Sequence, residues 1–215
     1  MSSLGVSCAA LMSQYFEIHP THPQKRLLQR AADILQAGGL VVYPTDTSYA
    51  LGCHIGDKKA LDRVETLRKL DKNHMLTLAC RDLSELSIYA RVDNTQFRIL
   101  KHYTPGPFTF ILPASRECPK RLVHEKRRTI GIRVPDHPVV RGLLEILGEP
   151  LMTTTMRLPG QDLPMTDPVE MREALERQVD LIIDAGHGGV GATTMIDLTG
   201  PVPNIERQGL GQFAS

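Results

Sequence analysis

The stretch PQKRLLQRAADILQAGGLVVYP, residues 23–44, decides the fold class of this chain. Its first part places apolar residues at helical spacing, namely Leu27, Leu28, Ala31, Ile34 and Leu35. A glycine pair, Gly38 and Gly39, then predicts the end of that helix. The next residues, 40–43, form a short apolar run that stops at Pro44, which is typical of a buried strand. A helix that leads directly into a buried strand predicts an α/β protein.

The same alternation continues through the rest of the chain. Further helices are predicted at 58–70, 82–89, 94–103, 139–147 and 169–178, and further strands at 75–80, 108–112, 129–134, 151–156, 179–184 and 193–198. Strands interleaved with helices of this length predict an α/β sheet covered by helices. Because the last two strands are adjacent in sequence, we expect some antiparallel pairing late in the chain. Without a repeat or a long linker, residues 12–215 are expected to form a single domain.

Composition limits the class of protein and its location. There are 25 Lys and Arg against 24 Asp and Glu, so attraction to a polyanion must come from local clusters. The four cysteines, Cys8, Cys53, Cys80 and Cys118, form no CxxC pair, which favours free thiols in a reducing compartment over a zinc knuckle. No apolar run is long enough for a membrane span, and residues 1–11 are expected to be a disordered extension. We therefore expect a cytoplasmic protein without membrane contact.

Familiar catalytic motifs give little support. Gly186, Gly188 and Gly191 match GxGxxG, but the β-branched residues that follow favour a strand where a dinucleotide site needs a helix, so a flexible turn is the better interpretation. No phosphate-loop, zincin or hydrolase signature occurs, and no metal-ligand cluster is apparent. Among isolated histidines, His74 is the best functional candidate, although such residues more often lie on the surface or in the core.

Threonine and arginine residues gather at the ends of predicted strands. They are Thr45, Thr109, Arg133, Thr155 and Thr194. Ligand crevices in open α/β sheets form at strand ends, where hydroxyls bind anionic oxygens and arginine can hold a carboxylate through two bonds. The alternative is that threonine simply favours strands and that Arg133 covers an exposed edge.

Residues 116–133 form a basic segment. It contains Arg116, Lys120, Arg121, Lys126, Arg127, Arg128 and Arg133 against Glu117 and Glu125. In a nearly neutral chain this local surplus predicts one positively charged face suited to phosphates. A solvated run of charges is the alternative.

Four motifs that occur in order along the chain are more specific than any one of them alone. They are GGLVVYPTDTSYALGC, YTPGPFTFIL, TIGIRVPDHP and TTMIDLTG…IERQGLG. Together they resemble the YrdC/YciO family of threonylcarbamoyl-adenylate synthases across about residues 24–211. The segments EKRRTIGIRVP and CRDLSELS resemble the YciO branch in particular. The resemblance implies a YrdC-like fold, which is a twisted, open mixed sheet flanked by helices with a deep, positively charged concave face.

The resemblance also implies a reaction and a set of site residues. Family synthases join L-threonine, bicarbonate and ATP, with Mg²⁺, into threonylcarbamoyl-AMP and pyrophosphate for tRNA modification, without a protein nucleophile. By motif, Thr45, Arg133 and Thr194 would hold threonine. Arg68, Thr109, Thr155, Arg157 and Arg207 would contact the nucleotide. The basic segment at 116–133, independently of the motifs, predicts that Lys126, Arg127 and Arg128 bind RNA.

Two elements depart from the family pattern. Synthases carry Lys-x-Arg after the second helix, where this chain has Arg68, Lys69 and Leu70, and they carry Ser-x-Asn where it has Thr155, Met156 and Arg157. Leu70 cannot bind a phosphate, whereas Arg157 adds a charge where a neutral amide stands in synthases. Two hypotheses follow: an enzyme with a retuned pocket that makes or acts on threonylcarbamoyl-AMP, or a non-catalytic relative that binds double-stranded RNA or tRNA. The sequence does not indicate the oligomeric state.

Overall fold

The computed structural model describes residues 12–70 and 76–214. The expected extension at 1–11, His74 and the first residue of the strand expected at 75–80 lie outside these ranges. The helices in them are α1 (Lys25–Gln36), α2 (Lys58–Arg68), α3 (Leu83–Tyr89), α4 (Asn94–Tyr103), α5 (Pro138–Leu147) and α6 (Pro168–Leu175), with a short 3-10 helix at Lys120–Leu122. The strands are β1 (Gln14–Glu17), β2 (Val41–Pro44), β3 (Tyr49–His54), β4 (Thr77–Ala79), β5 (Phe108–Pro113), β6 (Thr129–Arg133), β7 (Leu151–Thr155), β8 (Leu181–Asp184), β9 (Thr194–Asp197) and β10 (Asn204–Arg207).

Within the described ranges the ten strands form one sheet in the order β1-β8-β2-β3-β7-β4-β6-β5-β9-β10. Pairs β1–β8, β2–β8, β4–β6 and β5–β9 are parallel, and β2–β3, β3–β7, β4–β7, β5–β6 and β9–β10 are antiparallel. The sheet is therefore open and mixed, as the sequence predicts.

Each face of the sheet has its own hydrophobic core. One core joins α1 and α5 to the sheet through Leu28, Leu35, Val140 and Leu144, all of which are at most 3% exposed. The other core lies under α2, α3, α4 and α6. Because α1 and α5 cover only part of the first face, the remainder of that face stays open. This open part becomes the floor of a cleft.

The ends of α5 fit their sequence. The side chain of His137 caps the helix start by accepting a bond from the backbone amide of Val139, and Pro138 supplies a fixed φ in the first turn. Gly148 ends the helix with φ +71, a left-handed conformation that glycine adopts without strain. Helix α5 thus begins beside the strand end that carries Arg133.

Three strands escape sequence reasoning, for different physical reasons. Strand β3 is buried but contains alanine and glycine, which have low β-propensity, and β10 is exposed throughout. Strand β1 is only four residues long. Antiparallel pairing late in the chain is confirmed, but it joins β9 to β10. Strand β8 lies between β1 and β2, so residues 185–193 cross the sheet instead of forming a turn between paired strands.

Two further expectations concern thiols and membranes. Cys53, Cys80 and Cys118 are free and buried, and burial raises the pKa of the Cys53 thiol to about 12. None of the helices in the described part of the chain combines the length and apolar character needed to cross a membrane.

Candidate functional site

A cleft of about 370 Å³ opens on the part of the sheet that α1 and α5 leave uncovered. Of the eleven described residues that line it, nine are threonine or serine, and the others are Ala50 and Arg133. The register explains this concentration, because Thr153 pairs with Thr77, which in turn pairs with Gly131. Residues directly opposite each other share a face of the sheet. Four of the predicted residues meet here: Thr45, Thr109, Arg133 and Thr155.

Gly131 leaves room at the centre of this floor. A Cβ built on Gly131 would lie 3.3 Å from Thr77 Oγ1 and 3.6 Å from Thr109 Cγ2. A side chain at this position would therefore stand between the hydroxyls of two neighbouring strands. Glycine keeps both of them accessible from the cleft.

The loop between β2 and β3 is organised by Thr45. Its hydroxyl donates to the Ser48 carbonyl at 2.6 Å and accepts weaker bonds from the amides of Thr47 and Ser48. The Thr45 amide also donates to the Ser48 carbonyl, which closes a tight turn. Thr45 thus shapes the turn, while Thr47 and Ser48 also line the cleft.

Arg133, which lines the cleft, forms an ion pair with Asp46. Arg133 Nη2 donates to Asp46 Oδ1, and the two side chains are only 9% and 10% exposed. Arg133 Nε and Asp46 Oδ2 are buried without a hydrogen-bond partner. A buried N–H without an acceptor is costly, so this guanidinium has one more bond to offer a ligand. Sequence reasoning missed Asp46.

On the β9 side, a chain of polar contacts runs from Thr109 to Arg207. The hydroxyls of Thr109 and Thr193 lie 2.7 Å apart, and Arg207 Nη2 donates to the Thr193 hydroxyl at 3.2 Å and to its carbonyl at 3.1 Å. These contacts place the Arg207 guanidinium at one flank of the cleft. Thr193, absent from the sequence-derived set, connects this cation to the floor.

Thr194 occupies a different position from its neighbour. It is fully buried, and its hydroxyl donates to the Gly211 carbonyl at 2.6 Å and accepts from the Gly209 amide at 2.9 Å. Thr194 pairs with Phe108, on the face of the sheet opposite to Thr109. The hydroxyl that reaches the cleft from this segment is therefore that of Thr193.

Arg68 and Arg157 meet beyond the end of β7, at a position that we call the β7 flank, and neither of them is among the residues that line the cleft. Arg68 is 5% exposed and donates through Nη1 to the Arg157 carbonyl, while its Nε has no partner. Burial, with the nearby charge of Arg157 as a second cause, lowers the pKa of Arg68 to about 10. Among the described residues neither arginine forms an ion pair. Two neighbouring cations without an acid form a site suited to an anion.

Leu70, the residue that breaks the Lys-x-Arg pattern, does not join this pair of cations. Its side chain packs against the core under α2, α3, α4 and α6. The predicted nucleotide set is therefore divided: Arg68, Thr155 and Arg157 lie at the β7 flank, and Thr109 and Arg207 lie towards β9. Three strand spacings separate β7 from β5, about 14 Å along the sheet.

The glycine-rich segment 185–193 passes the mouth of the cleft. A Cβ on Gly189 would lie 2.4 Å from the Thr47 carbonyl oxygen, and one on Gly188 would lie 2.5 Å from the ring of Tyr49. These close backbone approaches explain why glycine stands at both positions. Strand β9, not a helix, follows the segment directly, which agrees with the rejection of a dinucleotide loop.

The RNA-binding candidates lie elsewhere. Strands β5 and β6 pair with Pro113 opposite Thr129, so Lys126, Arg127 and Arg128 precede the end of β6 that is remote from Arg133. Four residues of extended strand separate Thr129 from Arg133, about 13 Å. The basic cluster therefore lies away from the cleft, and a positive charge over the whole concave face stays a prediction.

The signal that could have found the missed residues is the two-residue period of strands. Thr153, Thr77 and Arg133 share a face with Thr109 once the strand order is known, but a single sequence does not supply that order. Among the described residues no cluster of three His, Cys, Asp or Glu side chains could hold a metal ion.

Comparison with known proteins identifies the family. The family model Sua5_yciO_yrdC, described as telomere recombination, matches residues 33–209. YciO of Escherichia coli (strain K12), itself described as uncharacterized, is 52% identical over 200 residues, 93% of this chain and 97% of YciO. A threonylcarbamoyl-AMP synthase of Idiomarina loihiensis is 33% identical over 162 residues, 74% of this chain and 86% of the synthase.

A solved structure agrees with these matches. The crystal structure of E. coli YciO aligns with a TM-score of 0.90 at 52% identity, covering 94% of this chain and 98% of that chain. The match over residues 33–209 includes every residue that lines the cleft. The chain belongs to the Sua5/YciO/YrdC family.

Proposed function

We propose that the cleft binds a small carboxylate of the L-threonine type beside an adenylate, and that the protein makes or acts on threonylcarbamoyl-AMP. The observation that carries the proposal is Arg133, which lines a cleft of hydroxyls and keeps its Nε without a hydrogen-bond partner. A carboxylate is the anion that a guanidinium holds through two parallel bonds. Relatives named threonylcarbamoyl-AMP synthases support this choice of ligand.

On the threonine side, Arg133 would bind the carboxylate and the neighbouring hydroxyls would hold the rest of the amino acid. Thr153 is a fixed member of that floor, because Tyr43 donates to its hydroxyl at 2.8 Å. Burial raises the pKa of Tyr43 to about 12, so the phenol remains a neutral donor at physiological pH. Thr45 would contribute through the turn that it closes.

On the nucleotide side, the paired cations Arg68 and Arg157 would take phosphate oxygens. Arg68 is charged at neutral pH, since even its lowered pKa stays near 10. Arg207 and Thr109 lie on the opposite side of the cleft. An elongated nucleotide would extend from the pair Arg68 and Arg157 to these two residues. Reaction by direct attack of the carboxylated threonine on the α-phosphate needs positioning and charge neutralisation and no protein nucleophile.

Magnesium would reach this site with ATP. The described residues offer no three-ligand cage, and Mg²⁺ commonly binds through substrate phosphates and water with one or two carboxylates. Asp46 Oδ2 is a buried carboxylate oxygen without a partner, so the donor set fits an ion carried by ATP. When bound, such an ion supplies charge neutralisation at the phosphates.

The test is incubation of the purified full chain with ATP, L-threonine, bicarbonate and Mg²⁺, assayed for pyrophosphate and threonylcarbamoyl-AMP. The synthase form of the proposal predicts both products in equal amounts. Hydrolysis of added threonylcarbamoyl-AMP without its synthesis would support action on the compound alone. The proposal would be refuted if the protein did not synthesise, turn over or bind threonylcarbamoyl-AMP.

A second candidate is a non-catalytic relative that binds double-stranded RNA or tRNA in the cytoplasm. One observation favours it: Lys126, Arg127 and Arg128 are exposed, and among the described residues they form no ion pair. Exposed cations at one end of the molecule suit contacts with a phosphate backbone. Because this cluster is remote from the cleft, the two functions are separable by mutation.

A further inference from the structure

A second cavity, of about 480 Å³, lies on the face of the sheet opposite the cleft. Neighbouring residues of β7 separate the two spaces: Met152 lines the cavity, and Thr153 lines the cleft. Successive side chains of a strand point to opposite faces, so the two sites share strands but no lining residue. The proposed reaction makes no use of this cavity.

The walls of the cavity are apolar. Leu61 of α2 is 5% exposed, Leu122 of the 3-10 helix is 8% exposed and Met152 is 1% exposed. The 3-10 helix is fixed against α2 by Arg121, which donates to Asp62 at 2.7 Å. The cavity is therefore bounded by the sheet and two connected helical segments, and it favours a ligand with an apolar body.

The rim of the cavity is cationic. Lys58 and Lys120 lie on it, and among the described residues neither of them forms an ion pair. Lys58 is the first residue of α2, an 11-residue helix whose start favours negative charge. These groups would bind an anionic head at the mouth while the apolar body enters the cavity.

The polar neighbours of the cavity that could oppose an anion already have partners. Asp57 caps α2 by accepting from the Ala60 amide at 3.0 Å. His54 pairs with Glu149 through an Nε2–Oε2 distance of 2.7 Å. Arg121 is paired with Asp62, and Asp57 keeps its negative charge while it caps α2, so Lys58 and Lys120 leave a positive surplus of about one charge at the rim.

We propose that this cavity binds a small organic anion with an aromatic or aliphatic body and a single carboxylate or sulfonate head. The proposal concerns a site separate from the threonine-lined cleft, and it holds whether or not the protein makes threonylcarbamoyl-AMP. An uncharged analogue of the same shape gains the apolar contacts but not the attraction of the lysines, so it binds more weakly.

The probe is 2-naphthoate, compared with the neutral 2-naphthamide by calorimetry on the full chain. We expect the carboxylate to bind about tenfold more tightly, an advantage that falls as salt increases. Methyl resonances of isotope-labelled methionines locate the probe: Met152 should shift, whereas Met195, which pairs with Thr109 in the cleft region, should not. Equal affinities, absence of binding or a shift at Met195 alone would overturn the proposal.

Matched charge reversals give the second arm. Lys58→Glu with Lys120→Glu should weaken 2-naphthoate about tenfold or more, because both attractive charges become repulsive. The control variant, Lys59→Glu with Lys126→Glu, changes the net charge by the same amount at exposed positions outside the cavity. It should leave the affinity for 2-naphthoate nearly unchanged. If the first double variant does not fold, Lys58→Gln with Lys120→Gln replaces it. Equal losses in the two double variants would show a general charge effect and refute the site.

Discussion

Arg133 and Asp46 bury opposite charges beside the cleft, and each keeps one polar atom without a partner. Removing one member of such a pair leaves the other charge buried and uncompensated, at a cost of about 3–5 kcal/mol. Arg133→Ala would therefore reduce both ligand binding and stability, so that one effect could not be measured apart from the other. Arg133→Lys retains the charge and removes the fork that holds a carboxylate through two bonds.

We predict that Arg133→Lys weakens binding of L-threonine about tenfold or more, since it removes a charge-assisted hydrogen bond worth about 1.5–3 kcal/mol. Titration calorimetry measures the affinity, and thermal unfolding checks that the fold is retained. Arg141→Lys is the control, because Arg141 is more than half exposed and pairs with Asp136 on the surface. Equal affinity in the wild type and Arg133→Lys would exclude Arg133 from carboxylate recognition.

Arg68 provides a prediction about pH. Burial lowers its pKa to about 10, with the charge of Arg157 as the second cause, and only the protonated form attracts phosphate. Affinity for ATP should therefore fall as pH rises from neutral through about 10. Arg157→Asn removes one of the two causes, so it should move this decline to higher pH while it lowers affinity at neutral pH. Binding assays across the range decide: the same midpoint in both proteins would contradict the pairing of these arginines.

At the scale of elements, two adjacent threonines at the start of β9 make different contacts. Thr193 contacts Thr109 and Arg207 in the cleft, whereas Thr194 binds the backbone of Gly209 and Gly211 near the carboxyl end of the chain. Adjacent residues of the same type thus have different expected roles, one in binding and one in fixing the tail.

Thr193→Val and Thr194→Val separate these roles, because both substitutions remove a hydroxyl and keep the shape. Thr194→Val should lower the free energy of unfolding by about 1–3 kcal/mol, since buried backbone groups lose their partner. It should also expose the segment after Gln208 to proteolysis, with little effect on ligand affinity. Thr193→Val should weaken binding in the cleft about fivefold through the lost hydrogen bond. Calorimetry and denaturant unfolding measure both quantities, and the reverse pattern would contradict the assignment.

Local pattern predicted most elements, because α1, α2, β2 and β5 follow clear helical or apolar periods. Local pattern did not predict β3, because Ala50 and Gly52 have low β-propensity, or β10, because that strand is exposed. The candidate site was predicted in part: motifs and strand ends indicated Thr45, Thr109 and Arg133. Thr77, Thr153 and Thr193 join them only through strand order and register, which depend on long-range pairing.

At the scale of the whole molecule, the sheet separates the cleft from the basic cluster. Arg133 and Thr109 lie at one end of the β5–β6 pair, and Lys126, Arg127 and Arg128 lie near the other. The two proposed activities therefore depend on residues at different ends of the sheet. RNA binding, if it depends on this cluster, does not require an intact cleft.

We predict that replacing Lys126, Arg127 and Arg128 by Ala weakens binding of double-stranded RNA and reduces its salt dependence, by about one in log–log slope for each lost phosphate contact. Affinity for L-threonine should stay unchanged. The control replaces Lys25, Arg26 and Lys59, which are exposed cations on other elements. Fluorescence anisotropy over a range of salt concentrations gives the slope. A slope unaffected by the first triple variant would place the RNA contacts elsewhere.

The measurement that tests the central claim most directly is a crystal structure of the full chain with L-threonine and a non-hydrolysable ATP analogue. The threonine carboxylate should lie within hydrogen-bonding distance of the Arg133 guanidinium, on the floor formed by Thr77, Thr109 and Thr153. Phosphate oxygens should lie beside Arg68 and Arg157. Threonine bound away from Arg133, or a cleft that stays empty while the ligands occupy another site, would contradict it.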